Sequence, residues 1–158
     1  MMINTTLCYI EKDDSYLLLH RVKKNQDINK GKWIGIGGKF EENESPYDCV
    51  KREVKEETGL ELQKVEYRGI VTFVSTDKNG TYNEMMHLFW SDSFTGVQKK
   101  SEDCDEGELA WVPKSKMNEL PHWESDELFL DLIEKRVPFF SLKCVYKDGV
   151  LVEHLFNE

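Results

Sequence analysis

The strongest constraint on this chain is a set of glutamates, Glu53, Glu56 and Glu57, that follows a short apolar stretch broken by glycines, Trp33-Ile34-Gly35-Ile36-Gly37-Gly38-Lys39-Phe40. Between the two, Ser45 is a good N-cap, Pro46 suits the first helical position, and Asp48 completes a Ser-x-x-Asp box. The pattern predicts a helix that starts at Ser45 and stops at Gly59. On it the glutamates stand at i, i+3 and i+4, on one face within an arc of about 100°. Like charges so spaced destabilise a helix, and the face is relieved only by something positive.

Three carboxylates with no His or Cys among them form a hard oxygen ligand set, suited to Mg²⁺ or Mn²⁺ rather than zinc. Arg52 is placed to bridge Glu56 and steady the carboxylates. The glycines at 35, 37 and 38 let backbone pass close to the helix and to a ligand. A solvated helix face would use the same residue types. The fixed spacing argues against it: Gly38, five residues, Glu44, seven residues, then Arg52-Glu53-Val54-Lys55-Glu56-Glu57-Thr58-Gly59-Leu60.

Around this segment the chain reads as strands. Thr5 to Glu11 and Tyr16 to Val22 form a hairpin across Asp13-Asp14, and Lys23 to Lys32 is a polar loop. Val65 to Val74 and Thr81 to Ser91 flank an Asn79-Gly80 turn, and Glu108 to Val112 is a short strand. A second helix is expected from Ser125, as its cap, to Lys135, followed by a hairpin of Phe139 to Tyr146 and Val150 to Phe156. The class is α+β, with helices packed on a mixed, largely antiparallel sheet.

Composition narrows the partners. The 158 residues carry 21 basic and 30 acidic side chains, a net charge of −9. That balance speaks against nucleic-acid or anionic-membrane binding, which needs a basic footprint. It leaves room for a small phosphorylated ligand bridged to the protein by a divalent cation. No apolar run approaches the ~18 residues of a membrane span, and the N-terminus has no secretory signal pattern. The cysteines at 8, 49, 104 and 144 form no C-x-x-C pair and read as free thiols. One cytoplasmic domain spanning 1–158 is the expectation, with the oligomeric state open.

The segment Gly38 to Leu60 resembles the signature of the Nudix hydrolase family, G-x5-E-x7-R-E-U-x-E-E-x-G-U, at every position, with Val54 and Leu60 as its apolar sites. The resemblance implies an α/β/α sandwich and metal-dependent hydrolysis of a nucleoside diphosphate linked to another group. It also implies that Gly38, Glu53, Glu56 and Glu57 belong to the metal site. One of these glutamates, or a neighbour, would take the proton of the attacking water. Arg52 would support the carboxylates, and Glu44 would anchor the loop to the helix.

The likeness extends to MutT-type members, the oxidised purine nucleoside triphosphatases among them. Glu106 matches an additional metal-site glutamate. Trp123-Glu124-Ser125-Asp126 matches a segment whose indole stacks on the base and whose acids read its edge. Lys23, Ile34, Gly37, Trp123 and Asp126 are the candidate substrate-binding residues, with Lys24 beside Lys23 also placed to meet triphosphate oxygens. Two positions depart from the pattern: Ile34 replaces a base-contacting Asn, and Ser125 replaces the first of two acids. A purine nucleoside triphosphate of the 8-oxo-dGTP type is the expected substrate. Another Nudix specificity (ADP-ribose, a dinucleotide polyphosphate, a sugar nucleotide or capped RNA) and a silent nucleotide sensor stay open.

Overall fold

The computed structural model describes residues 1–158. Its centre is β1 (Met2–Lys12), buried on both sides from Thr5 to Ile10. Alternation sends Leu7 and Tyr9 to one face of the sheet and Cys8 and Ile10 to the other, so β1 serves two cores at once. One edge of β1 pairs antiparallel with β2 (Ser15–His20) and, further back, with β4 (Ile36–Lys39). The other edge pairs parallel with β6 (Gly80–Gly96). The main path of the sheet runs β3-β2-β1-β6-β5-β8-β9. Here β3 is Trp33–Ile34, β5 is Leu60–Asp77, β8 is Phe140–Lys147 and β9 is Val150–Phe156. The short β7 (Glu108–Pro113) lies antiparallel to β2.

Most pairings are antiparallel, and β1–β6 and β5–β8 are parallel. The apolar stretch before the helix forms two pieces, β3 and β4, rather than one strand, with Gly35 between them. The Val65 and Thr81 strands are longer than the sequence suggests and meet at Asp77 and Gly80.

Helix α1 (Pro46–Thr58) covers one face. Its Val50 and Val54 are fully buried against Ile10, Leu17, Leu19, Ile36 and Phe89. The capping box forms as read: the Ser45 hydroxyl accepts from the Asp48 N–H, and the Asp48 carboxylate accepts from the Ser45 N–H, both at 3.0 Å. Gly59 ends the helix in the left-handed region at φ 79°. Helix α2 (Glu124–Glu134) covers the other face through Phe129 and Ile133, packed with Tyr9, Tyr16, Val71 and Phe140. Together these layers are the expected α/β/α sandwich.

The second helix departs from its expected start. Trp123, not Ser125, is its N-cap residue, and no side chain caps it. Ser125 lies inside the first turn, fully buried, where its N–H donates to Tyr146 Oη at 2.7 Å and its Oγ accepts from the same hydroxyl at 2.9 Å. The phenol thus does the work of a cap from across the core. Tyr146→Phe should leave the Ser125 N–H without a partner and cost about 1–3 kcal/mol, read as a lower urea midpoint with an unchanged slope.

Candidate active site

The glycines before α1 bring backbone against the helix. A Cβ on Gly37 would stand 1.8 Å from the Thr6 carbonyl oxygen, so this position has room for hydrogen only. A Cβ on Gly38 would stand 2.5 Å from the Glu53 carboxyl group, the movable end of a side chain. The first contact guards the β1–β4 pairing, and the second seats a site carboxylate against bare backbone.

Arg52 organises the signature residues. Its Nε and Nη2 donate to the two oxygens of Glu44 at 2.6 and 2.9 Å, a bidentate pair. Nη2 also donates to the Lys39 carbonyl at 3.0 Å, and Nη1 donates to Glu53 at 2.8 Å and Glu56 at 3.1 Å. Glu44 in turn accepts from the Glu41 N–H at 2.7 Å. The Arg52 guanidinium holds the Glu44 carboxyl well below the usual range, at about 2, and the paired carboxylates raise Arg52 itself.

Glu53 and Glu57 turn into a cavity of about 650 Å³, the size of a small-molecule site. Gly37, Gly38, Ile34, Glu106, Trp123 and Asp126 also line it. Glu57 is nearly buried, and its Oε2 has no hydrogen-bond partner. Burial first, then the nearby Glu53 charge, pushes its carboxyl up to about 8. Burial also raises Glu53, against the opposing pull of Arg52. An unpartnered buried carboxylate oxygen beside a second carboxylate suits a bound cation.

No three carboxylates stand together as a preformed cluster. Glu53, Glu56 and Glu106 are held by protein cations instead, Arg52 on the first two and Arg21 and Lys24 on Glu106 at 3.2 and 2.7 Å, while Glu57 has none. Glu56 is more than half exposed at the rim, and Glu44 and Arg52 stand behind the cavity wall.

Lys23 is a correction to the sequence reading. Its ammonium donates to the carbonyls of Ser101 and Cys104 at 2.5 and 2.6 Å, and it is not a cavity residue. Its neighbour Lys24 does line the cavity, as expected, and Arg21 joins it there. Arg21 went unnoticed in the sequence because an arginine at the end of a strand carries no signal of its own.

The far end of the cavity is aromatic. Phe73 meets the Trp123 indole edge-on at 5.0 Å, and Lys32 Nζ lies 4.4 Å over that ring. Asp126 is buried there, and desolvation pushes its carboxyl up to about 7. A hydrogen-bonded relay joins the two ends. Trp123 Nε1 donates to Asn29 Oδ1 at 2.7 Å, the Asn29 N–H donates to Asp27 at 3.0 Å, Asp27 accepts from Arg21 Nε at 2.7 Å, and Arg21 reaches Glu106.

With this geometry in place, comparison with known proteins settles the family. The model of the NUDIX domain matches residues 2–133. The chain is a member of the Nudix hydrolase family. It is 37% identical over 131 residues to the uncharacterized Nudix hydrolase YvcI of Bacillus subtilis (strain 168), covering 82% of this chain and 78% of that one. It is 27% identical over 135 residues to the oxidized purine nucleoside triphosphate hydrolase of Danio rerio, covering 85% and 83%. The crystal structure of a MutT protein from Bacillus halodurans superposes with a TM-score of 0.85 at 27% identity, covering 98% of this Nudix hydrolase and 97% of that chain. The protein is accordingly a pyrophosphohydrolase, of a family that generally uses a divalent metal.

The two glycines should separate fold from chemistry. Gly37→Ala strikes backbone and should fail to fold or unfold early, as circular dichroism would report. Gly38→Ala should keep its melting profile yet displace Glu53 and lose roughly tenfold or more in kcat.

Asp126 should mark stability with pH. Its folded carboxyl releases its proton near 7, against 3.8 for the ordinary group, so stability falls as pH rises between those values. Asp126→Asn is spared that burial of charge. It should gain about 2–4 kcal/mol over the parent chain at pH 8 and far less at pH 4, measured by urea unfolding at both pH values.

Proposed function

We propose that this Nudix hydrolase converts a purine nucleoside triphosphate, of the 8-oxo-dGTP type, to the monophosphate and pyrophosphate, with Mg²⁺ as cofactor and Mn²⁺ as a substitute. One observation carries the reading. A single cavity joins Glu53, Glu57 and Glu106 at one end to Trp123 and Asp126 at the other. The name of the Danio rerio relative supports the same substrate class. One sheet running from Met2 to Phe156 supports a single domain over 1–158. No helix is long and apolar enough to cross a membrane.

Glu53, Glu57 and Glu106 would hold the metal beside the Gly38 backbone, with Glu56 joining from the rim once it leaves Arg52. The bound cation supplies charge neutralisation and polarisation at the phosphates. Arg21 and Lys24, two of the cavity's three cations, would meet phosphate oxygens as Glu106 turns from them to the metal. A glutamate of the set accepts a proton as water attacks phosphorus. The new P–O bond forms on the monophosphate as the bridging P–O bond breaks, and the electron pair leaves with pyrophosphate. At the other end Trp123 offers an aromatic face to the base, and Asp126, poised near neutrality, presents a carboxyl that either donates or accepts.

A product assay with Mg²⁺, offering 8-oxo-dGTP, dGTP, other triphosphates, ADP-ribose and diadenosine polyphosphates, tests this directly. Selective release of monophosphate and pyrophosphate from 8-oxo-dGTP is expected, and preference for a dinucleotide or ADP-ribose would overturn the substrate. Glu53→Gln and Glu57→Gln should each stay folded and lose roughly a hundredfold or more in turnover. Near-normal rates from both would remove them from the machinery.

A further inference from the structure

The pocket lacks two polar groups that MutT-type relatives place near the base. Ile34 fills one position with a hydrocarbon, and Ser125 is turned into the core toward Tyr146. A cavity so altered would bind a purine by stacking alone unless another group reads its edge.

Strand β6 supplies one. Its alternation puts Tyr82, Glu84 and Met86 on the cavity wall. Glu84 pairs in register with Phe73 of β5, and Phe73 touches both the Tyr82 ring and the Trp123 indole. Glu84 therefore belongs to the aromatic end of the cavity. Two hydroxyls hold its carboxylate: Thr5 Oγ1 donates to Oε2 at 2.7 Å, and Tyr82 Oη donates to Oε1 at 2.5 Å. Thr5 lines the same cavity.

We propose that Glu84 is a specificity-determining residue that accepts hydrogen bonds from adjacent N–H donors on the edge of a guanine-type base. This rests on the nucleotide reading above. A carboxylate has about four acceptor sites, and the two hydroxyls use one on each oxygen. Each oxygen keeps an open acceptor site, and the ring N–H and exocyclic amino group of guanine are two adjacent donors. Adenine offers an acceptor where guanine has its ring N–H, so the same carboxylate opposes it.

Charge placement points the same way. No Lys, Arg or His pairs with Glu84, unlike Glu53 and Glu106. An uncompensated carboxylate repels the phosphate chain, which is drawn to Arg21 and Lys24 at the opposite end. It gains only from a donor-rich group. The held geometry means little side-chain freedom is lost on binding.

Calorimetry with dGMP, dIMP and dAMP, on the parent protein, Glu84→Gln and Tyr82→Phe, tests the assignment without turnover. The parent should prefer dGMP to dAMP, with dIMP between them. Glu84→Gln should lose about tenfold or more of the guanine preference and leave dAMP within about twofold. Tyr82→Phe, which keeps the carboxylate but frees one oxygen, should lose a smaller part of the same preference. Equal weakening of all three ligands in Glu84→Gln, no change in any, or no base preference in the parent would each overturn the proposal. Triphosphate turnover on the same proteins judges the reaction separately. A chain that binds dGMP through Glu84 yet releases no pyrophosphate would sink the proposed reaction and leave Glu84 as the base reader.

Discussion

A single guanidinium ties the site together. Arg52 reaches back to the loop through Glu44 and the Lys39 carbonyl, and forward along its own helix to Glu53 and Glu56. Without it, a helix bearing adjacent carboxylates would stand beside a partly buried third, with repulsion and desolvation both unrelieved. The bidentate pair with Glu44 fixes the planar cation, and the fixed cation in turn orders the anions. The glycines then decide how near the backbone comes. Loop shape and carboxylate placement are thus linked through one side chain.

The cavity built on this frame has unlike ends. Its anionic end carries more negative charge than its arginine and lysine neutralise, and one carboxylate oxygen there has no partner at all. Its aromatic end carries two further acids, Asp126 and Glu84, that face no tight cation. On the proposed reading, an anionic substrate would place its phosphates at the end that binds the metal and its hydrogen-bond donors at the other. The charge pattern fixes orientation before shape does.

The signature helix was legible because its local chemistry is self-sufficient: cap, proline, acid and stop glycine each act within a turn, and all four form as read. The strands were legible from β-branched and aromatic runs. The second helix starts two residues earlier than its sequence suggests because Ser125 is a good cap in isolation, and only the sheet brings Tyr146 to it. The cavity residues divide the same way. Glu53, Glu57 and Trp123 belong to spaced motifs. Lys23 and Arg21 sit two residues apart at the end of a strand, and the loop that captures Lys23 lies about eighty residues downstream, at Ser101 and Cys104. Glu84 gave no signal, since an acid in a long strand reads as solvent-facing until the neighbouring strand supplies its hydroxyl partner.

The relay through Asn29, Asp27 and Arg21 makes the two ends of the cavity one mechanical unit. The indole proposed to receive a base is braced by the same loop that holds the partner of Glu106. A shift of Trp123 would be passed through these bonds to Glu106 across the width of the site. A ligand that fills both ends would act on this loop from two sides, and one confined to the acidic end from one side only. On the proposed nucleotide reading, the base, though remote from the bond that breaks, would contribute to how fast that bond breaks as well as to how tightly the molecule is held.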